Sequence, residues 1–257
     1  MYDNIPHLAT SATLTPASIK CLEKVLQYTD PAVVKLNPDR VNICITVKNR
    51  LPNVNKSEKY DQLIMPIAQE LKIHLRKFPL TIVYVESLEA LGYFYQVLNH
   101  ELKELQYDPP HLKRPENRLF AQYHTEYTTQ MKSHIIQEIK KENPSLRLVL
   151  ATVALGMGLN APHIRRIIHC RPPTTLEKYA QEIGRAGRDG GKAQAILYFN
   201  KSDIAKNRKG LSAAMTKFCN NTVSCLRLQI VKYFGFEEVL FDGPSTDCCS
   251  NCAQDRQ

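Results

Sequence analysis

The sequence predicts an α/β fold, a mostly parallel sheet with helices on both faces, followed by a small helical segment that gathers cysteines. Three observations carry this. From Tyr60 onward, short apolar runs alternate with segments of helical periodicity. The strand candidates are continuous Val/Ile/Leu-rich runs, as strands covered on both faces are. After about Asn200 the composition shifts to lysine, and four of the eight cysteines then fall between Cys225 and Cys252.

Taken in order, Thr15 is an N-cap with Pro16 at the first helical position, and Ile19, Leu22, Val25 and Leu26 share one face that needs a partner. VNICITV (41–47) alternates as a strand does, and Lys48 to Lys56 reads as a loop. A helix from Tyr60 is expected to be interrupted at Pro66. TIVYV (81–85) is a buried strand, and Ser87 caps the helix after it. DPPHLKRPENR (108–118) is an inserted loop, LFAQYH (119–124) a strand, and TTQMKSHIIQEIKK a helix. LRLVLAT (146–152), IRRIIHC (164–170) and AQAILYF (193–199) are further strands, with a helical run from about Thr175 and a lysine-rich helix after Asn200. Connections in such a sheet are right-handed crossovers, and ligands gather at the carboxyl ends of its strands. Both glycine-bearing motifs discussed next are expected there.

The chain has 257 residues, 43% of them hydrophobic and 23% charged, enough for one large domain with an appendage. No apolar run is long enough to span a bilayer, so a soluble protein without a membrane partner is expected. MYDNIPHLAT shows neither a basic leader nor an apolar core, so reduced cysteines are expected. A formal charge of +9, from 34 basic against 25 acidic residues, points to an anionic partner such as nucleic acid.

The most informative stretch is QEIGRAGRDGG, Gln181 to Gly191. Arg185 and Arg188 offer permanently charged planar forks matched to phosphate oxygens, and Gly184, Gly187 and Gly190 remove side chains that would hold a ligand away. An isolated GR pair is usually a solvated turn; two pairs three residues apart, anchored by Gln181 and Asp189, favour a polyphosphate clamp. ATVALGMGLNAP (151–162) is the second motif. Gly156 and Gly158 allow backbone approach to a phosphate or sugar, with Thr152 and Asn160 as hydrogen-bonding groups.

ATVALGMGLNAP, IIHC and LEKYAQEIGRAGRDG together resemble motifs V and VI of RecQ-type DNA helicases. Gln181 and Asp189 separate them from the histidine-led motif VI of DEAD-box RNA helicases. SATLTP (11–16) looks like motif III, TIVYVESLEA like motif IV, and AQYHTEY sits where the family has YHAGL. The resemblance implies RecA-like architecture, with Arg188 similar to the arginine finger that reaches the γ-phosphate, Arg185 beside it, and Gln181 linking nucleotide state to the domain interface. It further implies that Ser87 and Thr152 contact the DNA backbone, that Asn160, Gly156 and Gly158 serve the nucleotide or its coupling network, and that Ser11 and Thr13 couple hydrolysis to strand movement.

There are departures. No GxxxxGK(S/T) and no acidic box occurs, so the lysine and Mg²⁺ ligands for ATP are expected on a missing N-terminal RecA-like domain. RVN (40–42) stands where the family has RPN, Arg171 follows IIHC, and Ala180 replaces a common tyrosine.

Cys225, Cys248, Cys249 and Cys252 could hold one structural Zn²⁺, with the CxxC from Cys249 as the tight half. CLRLQIVKYFG followed by CCSNC resembles the RecQ zinc-binding subdomain in its Werner-type form. The family's commoner spacing would instead use Cys225, Cys249, Cys252 and Asp255. Cys21, Cys44 and Cys170 are expected in the core, His124 and His169 as packed strand-end residues, and Tyr233 and Phe234 as packing for the zinc subdomain.

The expected division is a motif III remnant with linker (1–38), a second RecA-like domain (39–205) and a zinc-binding subdomain (206–257). The resemblance implies part of a nuclear, ATP-dependent 3′–5′ DNA helicase of repair and recombination, inactive alone. The alternative is a non-catalytic DNA-binding module.

Overall fold

The computed structural model describes residues 7–152 and 161–254. Six strands form one parallel sheet: β1 (Ile43–Asn49), β2 (Thr81–Tyr84), β3 (Phe120–Tyr123), β4 (Leu148–Ala151), β5 (Arg166–His169) and β6 (Ala193–Phe199), in the spatial order β1-β6-β5-β2-β4-β3. The apolar runs of β2 and β4 are buried at every residue, because helices cover both faces. On one face α2 (Lys56–His74) and α3 (Leu88–Leu102) pack Leu63, Ile67, Leu71, Phe94 and Leu98 against Val83, Leu148 and Leu150. On the other, α4 (Thr129–Lys140) and α5 (Leu176–Ile183) pack Ile135, Ile139, Leu176 and Tyr179 against Ile82, Val149 and Ile167.

The caps read from sequence at Thr15 and Ser87 form, and Thr128 and Thr175 add two more. Thr15, Ser87, Thr128 and Thr175 each accept a hydrogen bond from the backbone N–H three residues on, and α1 (Pro16–Val25) begins on its proline. Pro66 does not interrupt α2, which runs unbroken from its Asn55 cap. Pro66 and Gln62 are both exposed, so water can take the carbonyl left by the absent N–H, while Leu63, Ile64, Ile67 and Ala68 hold the inner face. Nor does a helix follow Asn200. A short 3₁₀ turn (Lys201–Ile204) closes on the Asn200–Asp203 capping box, and helix resumes only at α6 (Ala213–Cys219).

α7 (Leu226–Tyr233), α8 (Ser245–Cys248) and α9 (Ser250–Gln254) lie along the free edge of β1, where Ile45 bridges to Cys249 and the Val47 N–H reaches Ser250 Oγ. Cys170 is buried as expected, but Cys44 is only half-buried, facing this subdomain, and Cys21 is exposed. The reason for the last is that α1 fully buries none of its residues: Ile19 and Leu22 are only partly covered, and Val25 and Leu26 are exposed. No helix among the described residues is long and apolar enough to cross a membrane.

Candidate functional site

α5 returns from the carboxyl edge of the sheet to the amino edge, and the glycine–arginine turn at its end therefore sits beside the amino ends of β1, β5 and β6, not at the carboxyl ends as the general rule suggested. The turn is built by backbone. Gly187 N–H donates to Ile164 O (2.7 Å) and Gly190 N–H to Gly187 O (3.0 Å). Gly187 has φ +57°, and a Cβ there would lie 2.4 Å from Asn42 Nδ2 and 2.6 Å from Gly191 O. Its missing side chain thus makes room for the protein's own Asn42 and Gly191, not for a ligand.

Two residues of the RVN tripeptide, noted in the sequence only as a departure from the family pattern, do much of the holding. The Arg40 guanidinium donates to the carbonyls of Gly184 (2.8 Å), Ala186 (3.1 Å) and Gly187 (3.0 Å), and Asn42 Nδ2 donates to Gly187 O (2.8 Å) and Gly191 O (2.7 Å). Arg40 thereby satisfies carbonyls that a helix C-terminus leaves unpaired. The signal was the RVN tripeptide: its departure, Val41, is exposed and touches none of this, while Arg40 and Asn42 on either side form the contacts. Asp189 closes the far side. It accepts from both Arg165 Nη atoms (2.8 and 2.5 Å), from Gly191 N–H (3.0 Å) and sits 3.0 Å from His163 Nδ1, and the Arg165 contact holds its carboxyl well below the usual range.

The turn opens onto a cleft of about 460 Å³, whose lining includes Thr13, Arg40, Gln181, Arg185, Arg188 and Arg227. Among the described lining residues the four arginines face a single carboxylate, Asp39, and Arg227 already pairs with it (2.6 Å). Arg185 is buried and Arg188 exposed. Burial, reinforced by the like charges of Arg185 and Arg40, lowers the pKa of Arg188. An anion entering the cleft relieves that repulsion. Ser11 is not part of this lining; its Oγ accepts from Thr13 N–H (3.4 Å).

Ser87 and Thr152 stand apart from the cleft, following β2 and β4 at the carboxyl edge, where the Ser87 hydroxyl caps α3 and Thr152 N–H donates to Tyr123 O. Gly156, Gly158 and Asn160, and likewise Asp255, lie outside the described residues.

The sulfurs of Cys225, Cys248, Cys249 and Cys252 lie within 4.8 Å of one another, with Cys225–Cys248 at 3.7 Å and Cys249–Cys252 at 3.5 Å. With Zn–S near 2.3 Å, a tetrahedral ion needs sulfurs about 3.8 Å apart, so the Cys225–Cys248 and Cys249–Cys252 pairs already stand within a few tenths of an ångström of that spacing, and wider separations within the cluster would close by up to about 1 Å. Cys249 Sγ also accepts the Leu226 N–H (3.4 Å), and its pKa is lowered by the Cys225 thiol and by backbone N–H groups. That is the environment of a thiolate ligand.

His169 is a buried strand-end residue, as expected: Nε2 meets Glu182 at 2.8 Å and the ring stacks on Tyr84. His124 packs on Tyr127. Phe234 is buried and lines the cleft, while Tyr233 donates to Glu177 (2.6 Å), which helps raise its pKa to about 12 after burial.

Comparison with known proteins matches two parts of the chain to two family models. Residues 67–190 match the helicase conserved C-terminal domain, and residues 191–253 match the RecQ zinc-binding family. A RecQ-like DNA helicase BLM from Xenopus laevis is 22% identical over 98% of this chain and 18% of its own length. A putative ATP-dependent DNA helicase Q1 from Caenorhabditis briggsae is 26% identical over 91% of this chain and 35% of its own. The chain thus spans about a third or less of either relative. In fold, it is similar to the S. cerevisiae Dbp5 structure bound to RNA and ADP BeF3, with a TM-score of 0.53 and 19% identity over 82% of this chain and 48% of that one.

Proposed function

We propose, on the premise that this chain belongs to the RecQ-type helicases and carries their conserved C-terminal domain and zinc-binding region, that the arginine cleft is one half of an ATP site. The observation that carries the reading is the convergence of Arg40, Arg185, Arg188 and Arg227 on one cleft beside the glycine turn. In this reading Arg188, exposed at the rim, reaches the γ-phosphate of a nucleotide held by a facing RecA-like domain. Arg185, fixed below it, supports the same charge, and Gln181 reports nucleotide state across the interface. No covalent chemistry is asked of the chain. Its arginines stabilise charge that develops on the transferred phosphoryl group.

Ser87 and Thr152, at the opposite edge, are the groups proposed to meet the DNA backbone. With the +9 charge, this supports a motor that moves along nucleic acid. By resemblance the whole machine is a 3′–5′ DNA helicase of repair and recombination acting in the nucleus. Cys225, Cys248, Cys249 and Cys252 would hold Zn²⁺, whose four bonds tie the start of α7 to α8 and α9 in place of a core that so short a segment cannot build.

The test joins this chain to a RecA-like domain bearing GxxxxGK(S/T) and an acidic box, and measures DNA-stimulated ATP hydrolysis. Arg188→Ala is expected to lower turnover by about 10³-fold or more. Turnover unchanged in that variant would overturn the reading.

A further inference from the structure

We propose that Arg227 is a positioning residue through which the cysteine-bearing subdomain sets the geometry of the arginine cleft. Arg227 lies on α7, two residues after Cys225, with its side chain 2% exposed. Nη1 donates to Asp39 Oδ1 (2.6 Å) and to Arg40 O (2.9 Å). Nη2 donates to Ile43 O (2.7 Å) and lies 3.5 Å from Cys248 O, while the guanidinium carbon sits 4.7 Å from the centre of the Phe241 ring. One planar fork therefore touches a thiol-bearing residue, the lead-in to β1 and the loop that carries Phe241.

Asp39 extends the contact. Its second oxygen accepts the N–H groups of Leu240 (2.7 Å) and Phe241 (3.2 Å), so residues 39–43 are clamped to the subdomain from both sides. The same segment holds the glycine–arginine turn through Arg40 and Asn42. An unbroken run of hydrogen bonds leads from Cys248 through Arg227 to Arg40 and on to the carbonyls of Gly184, Ala186 and Gly187. Arg185 and Arg188 project from that turn. α7 is also a wall of the cleft, through Ile230 and Val231, with Phe234 just beyond its end. A shift of α7 is thereby a shift of the turn.

Lysine cannot replace Arg227 here, since a point charge does not reach acceptors on both sides at once. Losing Arg227 alone would leave the buried Asp39 carboxylate unpaired, which destabilises the fold and repels anions whatever happens to the turn. The decisive variant therefore removes both charges, Asp39→Asn with Arg227→Met.

The inference rests on reading the cleft as a polyphosphate site, and the experiment separates the two. Tripolyphosphate binding to the chain is measured by calorimetry in the wild type, Arg188→Ala and the double variant, together with zinc content and amide exchange. The double variant is expected to keep one zinc per chain, to bind tripolyphosphate about tenfold more weakly, as coupling between contacting groups allows, and to exchange the Gly187 and Gly190 amides about tenfold faster with Val83 and Leu150 unchanged. Arg227→Lys is expected to recover only part of the loss. Wild-type exchange at Gly187 and Gly190 in the double variant overturns the positioning role, as does wild-type affinity in it while Arg188→Ala binds weakly. If Arg188→Ala binds tripolyphosphate normally, the cleft reading fails, and the exchange measurement alone decides whether Arg227 positions the turn.

Discussion

The two edges of the sheet use the same residue types to opposite ends. At the carboxyl edge Arg50, Lys59 and Arg171 surround Glu86 and Asp203. Arg50 donates twice to Asp203 (2.9 and 2.8 Å) and once to Glu86 (2.9 Å), Lys59 pairs with Glu86, and Arg171 Nε lies 3.1 Å from Asp203. Burial alone would raise the Glu86 pKa, yet Lys59 and Arg50 bring it below its ordinary value. Arg50 and Lys59 match Glu86 and Asp203 in the interior, and Arg171, at 35% exposure, is the member that meets water most. At the amino edge Arg40, Arg185 and Arg188 share a cleft whose only described carboxylate is taken by Arg227. The Arg40 side chain meets backbone carbonyls there, which orient it without neutralising it. Arg50 is scaffold because the Asp203 and Glu86 carboxylates close on it, whereas Arg40 is oriented by carbonyls that leave its charge in place.

The contrast is broken most forcefully at Arg50. Its side chain is fully buried, and so is that of Asp203, so Arg50→Met leaves that interior carboxylate with only the partly exposed Arg171 and the Asn200 N–H. The expected cost is about 3–5 kcal/mol in denaturant unfolding. Tripolyphosphate affinity, measured on the fraction that stays folded, is expected to match the wild type. A loss under 1 kcal/mol would mean that water reaches Asp203 and that the two edges differ less than their geometry says.

That network also marks what the sequence could reveal. Apolar runs and two of the caps were legible because both are local: Thr15 and Ser87 each act within three residues, and β6 spans the same residues as its apolar run. The cysteine site was legible because its spacing is chemistry in itself. The partners of Arg40 and Asn42 were not, since they are carbonyls some 145 residues away and a carbonyl has no letter in the sequence. The edge of the sheet on which the GR turn sits was misjudged because a motif at the end of a crossover helix belongs to the strand it enters, β6, rather than to the one it left. Pro66 was misread for a further reason: a break depends on whether the orphaned carbonyl faces water, and its exposure decides that.

Gly187 sharpens the comparison from inside the amino edge. If its bare Cα serves the chain, Gly187→Ala should damage the fold of the turn as well as ligand binding. A non-glycine residue at φ +57° is strained, and its Cβ would collide with Asn42 and Gly191 O. The expected destabilisation is about 2–3 kcal/mol by thermal or chemical unfolding, with Asn42→Ala recovering part of it by removing the nearer obstacle. Full stability with weakened tripolyphosphate binding would restore the idea that this glycine makes room for a ligand.

The smallest expected change in stability is at Arg188, and it is the most discriminating. Arg188 is exposed overall, but partial desolvation in the cleft together with its two arginine neighbours already disfavours its charge. Arg188→Met therefore removes repulsion as well as whatever the side chain holds, and unfolding free energy is expected to stay within about 0.5 kcal/mol of the wild type. Anion affinity should fall in the same variant, and the stability difference between variant and wild type should widen in favour of the wild type when tripolyphosphate is added, because a ligand stabilises only the state that binds it. Arg50→Met would show the reverse pattern, a large loss without ligand and no ligand-dependent gap. Should Arg188→Met instead destabilise the free protein by as much as Arg50→Met, the amino edge would be a second structural network, and its positive charge would need no partner to explain it.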